Sequence, residues 1–186
     1  ALLSRGLGDV YKRQILSVAR SESNTSQVAE KVSVIKSTDV FLTSPSSGAE
    51  LLELSPGVRV QKSQGGGGSP IIRGFEANRV LIVVDGVRMN NAIYRSGHLQ
   101  NSITIDPNNI ERVEVIFGSS SVGYGSDAMG GVIHYYTKTP ILKASKKINS
   151  SFTTNYSSAN QSISNNYIAN YSEENWGSLT SLTVSK

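Results

Sequence analysis

Four short motifs, occurring in one order, constrain the fold of this chain more than any other feature. In three of them an apolar run meets a glycine or a turn signal, as expected of short strands that end in tight turns. Of the 17 glycines, 13 lie between Gly57 and Gly131, which favours a compact body with close backbone approaches. The motifs are 70–75 (PIIRGF), 79–88 (RVLIVVDGVR), 110–115 (IERVEV) and 124–133 (YGSDAMGGVI).

Local signals in the first half of this body predict both strands and a helix. The segment 32–35 (VSVI) is typical of a short strand. Ser47 is followed three residues later by Glu50, a capping box that opens an apolar helix. The Pro-Gly pair at 56–57 ends that helix. The next segment, 58–61 (VRVQ), alternates as a half-buried strand does.

The second half of the body predicts a small mixed sheet. Residues 79–84 are nearly all aliphatic and indicate a central strand that is covered on both faces. The pair 85–86 (DG) signals a hairpin, because both central residues of a type I′ turn need positive φ. Asp106 before Pro107 predicts a helix N-cap. In the strand that follows, Val113, Val115 and Phe117 are predicted to point inward, and Arg112 and Glu114 outward.

The segment 148–186 has a different composition, dominated by Ser and Asn. Its apolar residues share one parity and its polar residues the other, which predicts strands with one apolar face. Strands of about ten residues with this period, separated by polar turns, are typical of outer-membrane barrels. Trp176, beside a turn at 173–177, fits an interfacial aromatic girdle. The residues of apolar parity are Ile148, Phe152 and Tyr156, then Ile163, Tyr167, Ala169 and Tyr171.

Composition excludes several classes of protein. The net charge of +4 comes from 18 basic and 14 acidic residues, but the first 14 residues, with three basic and one acidic side chain, supply +2 of it. No nucleic-acid partner is therefore predicted. There is no cysteine for a disulfide or thiolate site, and there are only two histidines. Without clustered carboxylates or a nucleophile motif, the sequence predicts no catalytic residues, no enzyme activity and no intrinsic cofactor.

Taken together, the motifs within 15–138 resemble the plug domain of TonB-dependent outer-membrane transporters. The resemblance implies an α+β fold, with a small mixed-sheet plug followed by the first antiparallel strands of a truncated transmembrane β-barrel. It also implies gated, energised uptake across the outer membrane of a bacterial cell. The expected organisation is a non-native tail that resembles a translated sequencing adaptor (1–14), a remnant of the TonB-box and linker region (15–27), the plug (28–140) and incomplete barrel strands (148–186).

The same resemblance assigns roles to individual residues. Arg73 and Arg112 match plug arginines that pair with barrel carboxylates, a contact that suits a guanidinium. The barrel itself and the energy-transducing protein TonB are the implied protein partners. The end of a TonB box, which would pair with TonB by strand addition, is expected at Ile15, Leu16, Ser17 and Val18.

The transported ligand is predicted from one loop. The segment 94–101 and the ending 134–138 resemble haem and haemoglobin receptors of the Bacteroidetes type more than siderophore or cobalamin receptors. This implies haem, or another iron chelate, as the ligand that is transported rather than as a resident cofactor. His98 is the expected haem-iron ligand, since neutral imidazole suits that position, and Tyr94 and Arg95 are expected to contact the ligand. His134 is expected to be structural.

One alternative stays open at this point. Five Asn-x-Ser triplets and β-rich ends are compatible with a soluble secreted binding or adhesion module. The two interpretations differ in what should follow residue 186. A transporter should continue with alternating strands of about ten residues, whereas the alternative predicts a stop or a linker.

Overall fold

The computed structural model describes residues 14–15, 23–24, 30–62, 68–76, 79–89, 102, 104–118, 121–140, 142, 146–158 and 161–186. They form twelve strands, three short α-helices and three 3₁₀ turns. The strands are β1 (Gln14–Ile15), β2 (Ser23–Asn24), β3 (Lys31–Lys36), β4 (Val58–Gln61), β5 (Ser69–Ile72), β6 (Val80–Val84), β7 (Val87–Arg88), β8 (Ile110–Phe117), β9 (Gly131–Thr137), β10 (Lys147–Ser157), β11 (Ser162–Ser172) and β12 (Gly177–Ser185). The helices are α1 (Ser37–Thr43), α2 (Gly48–Leu51) and α3 (Ser121–Tyr124), and the 3₁₀ turns are Leu52–Leu54, Pro107–Asn109 and Ser126–Ala128.

A five-stranded sheet in the order β3-β8-β9-β6-β7 organises the first part of the chain. β8 runs antiparallel to β3 and β9, β9 runs parallel to β6, and β6 runs antiparallel to β7. The predicted small mixed sheet is therefore confirmed. β4 and β5 form a separate antiparallel pair. We call this part the plug-like body.

Both faces of the five-stranded sheet are covered. On one face Ile82, Val113 and Tyr135 belong to a large buried cluster that also includes side chains of α1 and α2. On the other face Leu81 and Ile116 pack with the α3 region. Strand β6 is buried on both sides, which confirms the prediction from its unbroken aliphatic run.

The predicted turn and cap of this body are confirmed. Asp85 and Gly86 have φ of 47° and 85° and join β6 to β7, as a type I′ hairpin requires. The Asp85 carboxylate also accepts hydrogen bonds from the backbone N–H and hydroxyl of Thr137 at 2.9 and 2.7 Å. Asp106 caps the turn that begins at Pro107, where its side chain accepts from the N–H of Asn108.

The helix after Ser47 is shorter than predicted. The Ser47 hydroxyl accepts from the Glu50 N–H at 3.2 Å, but the α-helix ends at Leu51 and a 3₁₀ turn replaces its continuation. The Glu50 carboxylate turns to the N–H and hydroxyl of Ser46, one residue before the N-cap, because Ser46 offers two donors there. These hydrogen bonds lower the pKa of Glu50.

The prediction that Glu114 points outward to solvent is wrong. Glu114 is fully buried, and its carboxylate accepts from Arg112 Nε at 2.8 Å. Alternation along β8 assumes one wet face, whereas a second layer covers this face too. The inward positions of Val113, Val115 and Phe117 are confirmed by their burial.

The last three strands form an antiparallel sheet in the order β10-β11-β12, which we call the wall sheet. The predicted antiparallel strands and their parity are confirmed. The row formed by Phe152, Tyr167 and Leu182 lies in register on one face, and the row Thr153, Asn166 and Thr183 lies on the other. Among the described residues, no helix is long and apolar enough to cross a membrane.

Candidate functional site

The polar face of the wall sheet contacts the plug-like body. Thr183 Oγ1 donates a hydrogen bond to Asp106 Oδ2, while Asp106 Oδ1 accepts from the N–H of Asn108 at 2.9 Å and from its amide Nδ2 at 3.1 Å. Behind Thr183, the Asn166 amide donates to Thr183 Oγ1 at 2.7 Å and to Ser181 Oγ at 3.3 Å. Asn166 is 3% exposed, and its partners Thr183 and Ser181 are half-buried, so this buried amide has its hydrogen bonds satisfied.

A cavity of about 280 Å³ lies beside this contact, between α1, the Pro107–Asn109 turn and the strands β10 and β11. Hydroxyl and amide groups of the wall sheet line much of it. Lys138 reaches the cavity, where its Nζ donates to the Asn108 carbonyl at 2.7 Å. Burial lowers the pKa of Lys138. Ser44 Oγ lies 3.5 Å from Asn155 Oδ1, at the limit of hydrogen bonding. The interface is thus polar rather than sealed by apolar packing.

The opposite face of the wall sheet is apolar and open. Its central row, Phe152, Tyr167 and Leu182, is 67%, 44% and 62% exposed. At the turn that joins β11 to β12, the rings of Tyr171 and Trp176 lie 5.0 Å apart. Large contiguous apolar surfaces are unusual in water-soluble monomers and mark a membrane or partner surface.

Arg112 lies in a stack of polar side chains on the plug-like body. Its guanidinium lies 3.9 Å from the centre of the Tyr136 ring and pairs with Glu114. Tyr136 stacks in turn on His134, with ring centres 4.1 Å apart. Arg112 is therefore already paired within its own domain. Its predicted bond to a barrel carboxylate stays a prediction.

His134 is buried in β9, in a position that fits a structural side chain. Its Nε2 accepts from the Gly86 N–H at 3.2 Å, which requires a neutral imidazole with the proton on Nδ1. Burial lowers the pKa of His134, and Arg112 acts in the same direction, against the carboxylates of Glu114 and Asp85. Nδ1 has no hydrogen-bond partner among the described residues.

Arg73 lies in the tight turn after β5, at φ 52°. The turn is closed by hydrogen bonds in both directions between Ile72 and Phe75, at 2.8 and 2.9 Å. The side chain of Arg73 is exposed and lies 6.0 Å from the centre of the Phe117 ring. Among the described residues Arg73 has no carboxylate within ion-pair distance. Its predicted bond to a barrel carboxylate also stays a prediction.

The predicted ligand residues Tyr94, Arg95 and His98 lie outside the described residues, but both ends of their loop are described. At its start the Met89 N–H donates to the Ile82 carbonyl at 2.9 Å. At its end the buried Ser102 hydroxyl donates to the Gly68 carbonyl at 2.6 Å. Met89 and Ser102, on either side of this segment, are therefore both bonded to the plug-like body.

The predicted TonB contact is described only in part. Ile15 lies in β1, whose backbone pairs antiparallel with β2 through Ser23. Leu16, Ser17 and Val18 lie outside the described residues, as does the predicted tail up to residue 13. The role of this segment stays a prediction.

Sequence reasoning identified Asp106 as a cap but missed its contact with the wall sheet. Asn166 was predicted only as a residue of the polar face of its strand, and Thr183 was not singled out. Asp106 and Thr183 are 77 residues apart, and no local pattern joins them. The one available signal was the position of Asn166, which falls in mid-strand opposite threonines on both sides.

Comparison with known proteins identifies the family. Residues 24–132, more than half of the chain, match the TonB-dependent receptor plug domain. A vitamin B12 transporter, BtuB, of Vibrio vulnificus is 39% identical over 125 residues, covering 66% of this chain and 20% of the transporter. A hemin receptor of Yersinia pestis is 32% identical over 124 residues, covering 66% of this chain and 18% of the receptor. The chain thus spans about a fifth of the length of these relatives.

Solved structures show the same fold. The ferric enterobactin receptor PfeA of Pseudomonas aeruginosa superimposes with a TM-score of 0.66 at 22% identity, over 86% of this chain and 25% of the receptor. The copper transporter OprC superimposes with a TM-score of 0.63 at 22% identity, over 76% of this chain and 21% of OprC. The relatives are receptors and transporters of the Gram-negative outer membrane rather than enzymes, which confirms the predicted location. The chain belongs to the TonB-dependent receptor family and contains its plug domain.

Proposed function

We propose that this chain is the plug and the first barrel strands of a TonB-dependent outer-membrane transporter, and that the plug gates ligand uptake driven by the inner-membrane energy-transducing complex. The observation that carries the proposal is the two-sided wall sheet. Its polar face contacts the plug-like body through Asp106 and Thr183, while its other face presents the exposed row of Phe152, Tyr167 and Leu182. A strand that has protein on one side and hydrocarbon on the other requires this division.

In the part of the chain that the structure describes, no strand pairs with the outer edges of the wall sheet. β10 and β12 are its outer strands, and open edges are not stable within hydrocarbon, where each backbone polar group needs a partner. Further strands of a complete barrel would pair with them. The family assignment replaces the alternative of a soluble secreted module, which has no use for an apolar sheet face of this kind.

TonB is the proposed energising partner, with Ile15, Leu16, Ser17 and Val18 as its contact. A short segment near the start of the plug suits strand addition, because extended backbone can pair along its whole length. Proline at Leu16 removes one backbone donor. We expect Leu16→Pro in the full-length protein to abolish energised uptake while ligand binding at the cell surface is retained. Loss of binding together with uptake would argue against this assignment.

Haem is the proposed ligand, with His98 as an iron ligand and Tyr94 and Arg95 as further contacts. Support comes from the resemblance of the loop to haem receptors and from the 32% identity to a protein named as a hemin receptor. The fixed ends of the loop at Met89 and Ser102 would let it present these side chains from a rigid body. The barrel would supply the second axial ligand.

The test is a haem titration of the full-length protein, followed by the Soret band. We expect His98→Ala to weaken binding and shift the band. His134→Gln is the matched control, because it changes the other histidine of the sequence, which is buried in the body. An unchanged affinity and spectrum in His98→Ala would remove His98 from the site.

A second ligand class is favoured by one observation. The relative with 39% identity is named as a vitamin B12 transporter. Titration with cyanocobalamin in the same assay separates the two. Binding of the corrinoid without haem binding would replace the haem proposal and leave the transporter proposal standing.

A further inference from the structure

The carboxylate of Asp106 is held in place by hydrogen bonds within the plug-like body, apart from its contact with the wall sheet. Its Oδ1 accepts both the N–H and the side-chain amide of Asn108, so the position of the group is fixed by two bonds. Oδ2 is then left facing β12, where it accepts from the Thr183 hydroxyl. Bonds to an ionised acceptor are roughly twice as strong as bonds between neutral groups.

The wall side is oriented in the same way. The Thr183 oxygen accepts from the amide of Asn166 at 2.7 Å, and a hydroxyl has one hydrogen to give. With one lone pair engaged by Asn166, that hydrogen is directed at Asp106. Asn166 is nearly fully buried and is itself positioned by Ser181. Consecutive donors of this kind strengthen one another.

The contact lies at the turn that leads into strand β8 of the plug-like body. The Pro107–Asn109 turn that Asp106 caps leads directly into β8, which lies between β3 and β9. The same turn is bonded to the end of the last plug strand, because the Lys138 N–H donates to the Asn109 carbonyl at 2.9 Å. A restraint at Asp106 therefore acts on the two central antiparallel strands.

We propose that Asp106 is a latch, a single carboxylate that caps the turn before β8 and fastens the plug to the barrel wall through Thr183 and Asn166. The inference rests on the proposed function, since it needs a barrel for the plug to close. The partner of the Asp106 carboxylate in the wall sheet is neutral: the Thr183 hydroxyl, supported by the Asn166 amide. This contact lies in a polar interface beside an open cavity.

The test uses the full-length protein in planar lipid bilayers, with conductance as the measure of plug opening. Thr183→Val removes the donor from the wall and leaves the plug unchanged. Asp106→Ser keeps a capping oxygen but is too short to reach Thr183. Thr180→Val is the matched control, because Thr180 lies on the same strand with the parity of Leu182, on the face turned away from the plug.

We expect Thr183→Val and Asp106→Ser each to raise the frequency of openings about tenfold, as the loss of a hydrogen bond to a charged group would. The double variant should open no more often than either single variant, since each substitution removes the same hydrogen bond. Opening frequencies equal to those of Thr180→Val, or effects that add in the double variant, would overturn the latch.

A variant lacking residues 28–140 should conduct continuously. If it forms no pore, the transporter proposal fails and the latch fails with it.

Discussion

The two sheets of this chain use apolar residues in opposite ways. In the five-stranded sheet, the apolar side chains of Ile82 and Leu81 point to opposite faces and both are buried. In the wall sheet most of them point to one face, and Phe152 and Leu182 are mostly exposed. The first pattern belongs to a sheet covered by two layers of protein, and the second to a sheet with protein on one side only.

The difference shows that exposed apolar side chains occur in two kinds of surroundings in this molecule. Val87 in the β6–β7 hairpin and Leu182 in β12 are exposed to a similar extent, 64% and 62%. Val87 is a single apolar residue in the short edge strand β7, which is ordinary for a protein surface. Leu182 belongs to a cross-strand row of large side chains, and such rows need a nonaqueous surrounding.

The largest contrast is expected from truncation of one side chain in each sheet. Ile82→Ala should lower the free energy of unfolding by about 2–5 kcal/mol, because it leaves a cavity in a filled core. Leu182→Ala should lower it by less than about 1 kcal/mol, because lipid or detergent fills the space. Urea unfolding of the full-length protein in detergent measures both. Equal losses would mean that Leu182 is packed against protein.

The ion pairs of the two regions should differ almost as much. Arg112→Met leaves the buried Glu114 without its charged partner and should lower the free energy of unfolding by about 3 kcal/mol. Lys146→Met breaks the exposed pair with Glu173, at 3.5 Å, and should cost less than about 1 kcal/mol. The same urea assay applies. A small effect of Arg112→Met would show that the Glu114 carboxyl group is stabilised without the guanidinium, or is reached by water.

Replacing Leu182 or Val87 with a charged residue extends the comparison between the two exposed positions. Leu182→Lys should destabilise the protein in lipid vesicles by about 2 kcal/mol or more, the cost of a cation at a lipid-facing position. Val87→Lys should change the stability by no more than about 0.5 kcal/mol, since its surroundings are aqueous. Folding efficiency into vesicles, followed by heat-modified gel mobility, reports the result. Equal behaviour of the two variants would place Leu182 in water.

The smallest effect is a pH dependence confined to the plug. Burial lowers the pKa of His134 below its usual value of 6.5, so the unfolded chain takes up a proton before the folded one. The free energy of unfolding should therefore fall as the pH drops below 6.5, until folded His134 is protonated too, and should be insensitive to this group above 6.5. His134→Gln should reduce that slope. If the pH dependence of the free energy of unfolding remains in His134→Gln and is lost in His98→Gln, His134 is not the group responsible.

Much of the fold could be predicted because its signals are local. The hairpin at Asp85 and Gly86 follows from the backbone angles that a type I′ turn requires. The cap at Asp106 needs only the residues beside it. The parity of β10 and β11 is read along each strand and needs no knowledge of the partner.

Features that depend on a second layer or on distant residues could not be predicted in this way. Glu114 occupies a position of polar parity, but its burial depends on what covers that face. α1 was not predicted, since it ends at Ser44 without a glycine. Its one signal was Asp39, whose carboxylate accepts from the Lys36 N–H at 2.9 Å at the start of the helix. The contact between Asp106 and Thr183 joins the cap of the turn before β8 to a strand of the wall sheet, and no spacing along the sequence indicates it.

The central claim, that the wall sheet separates lipid from protein, is tested most directly at two adjacent residues. These 186 residues contain no cysteine, so Ser181→Cys and Leu182→Cys each carry one fluorescent label in a full-length protein, in vesicles, once any cysteine elsewhere in it has been replaced by serine. We predict that brominated lipid quenches the label at 182 and leaves the label at 181 bright, and that aqueous iodide gives a weak effect at 182. Strong quenching by iodide and none by brominated lipid at 182 would contradict the claim.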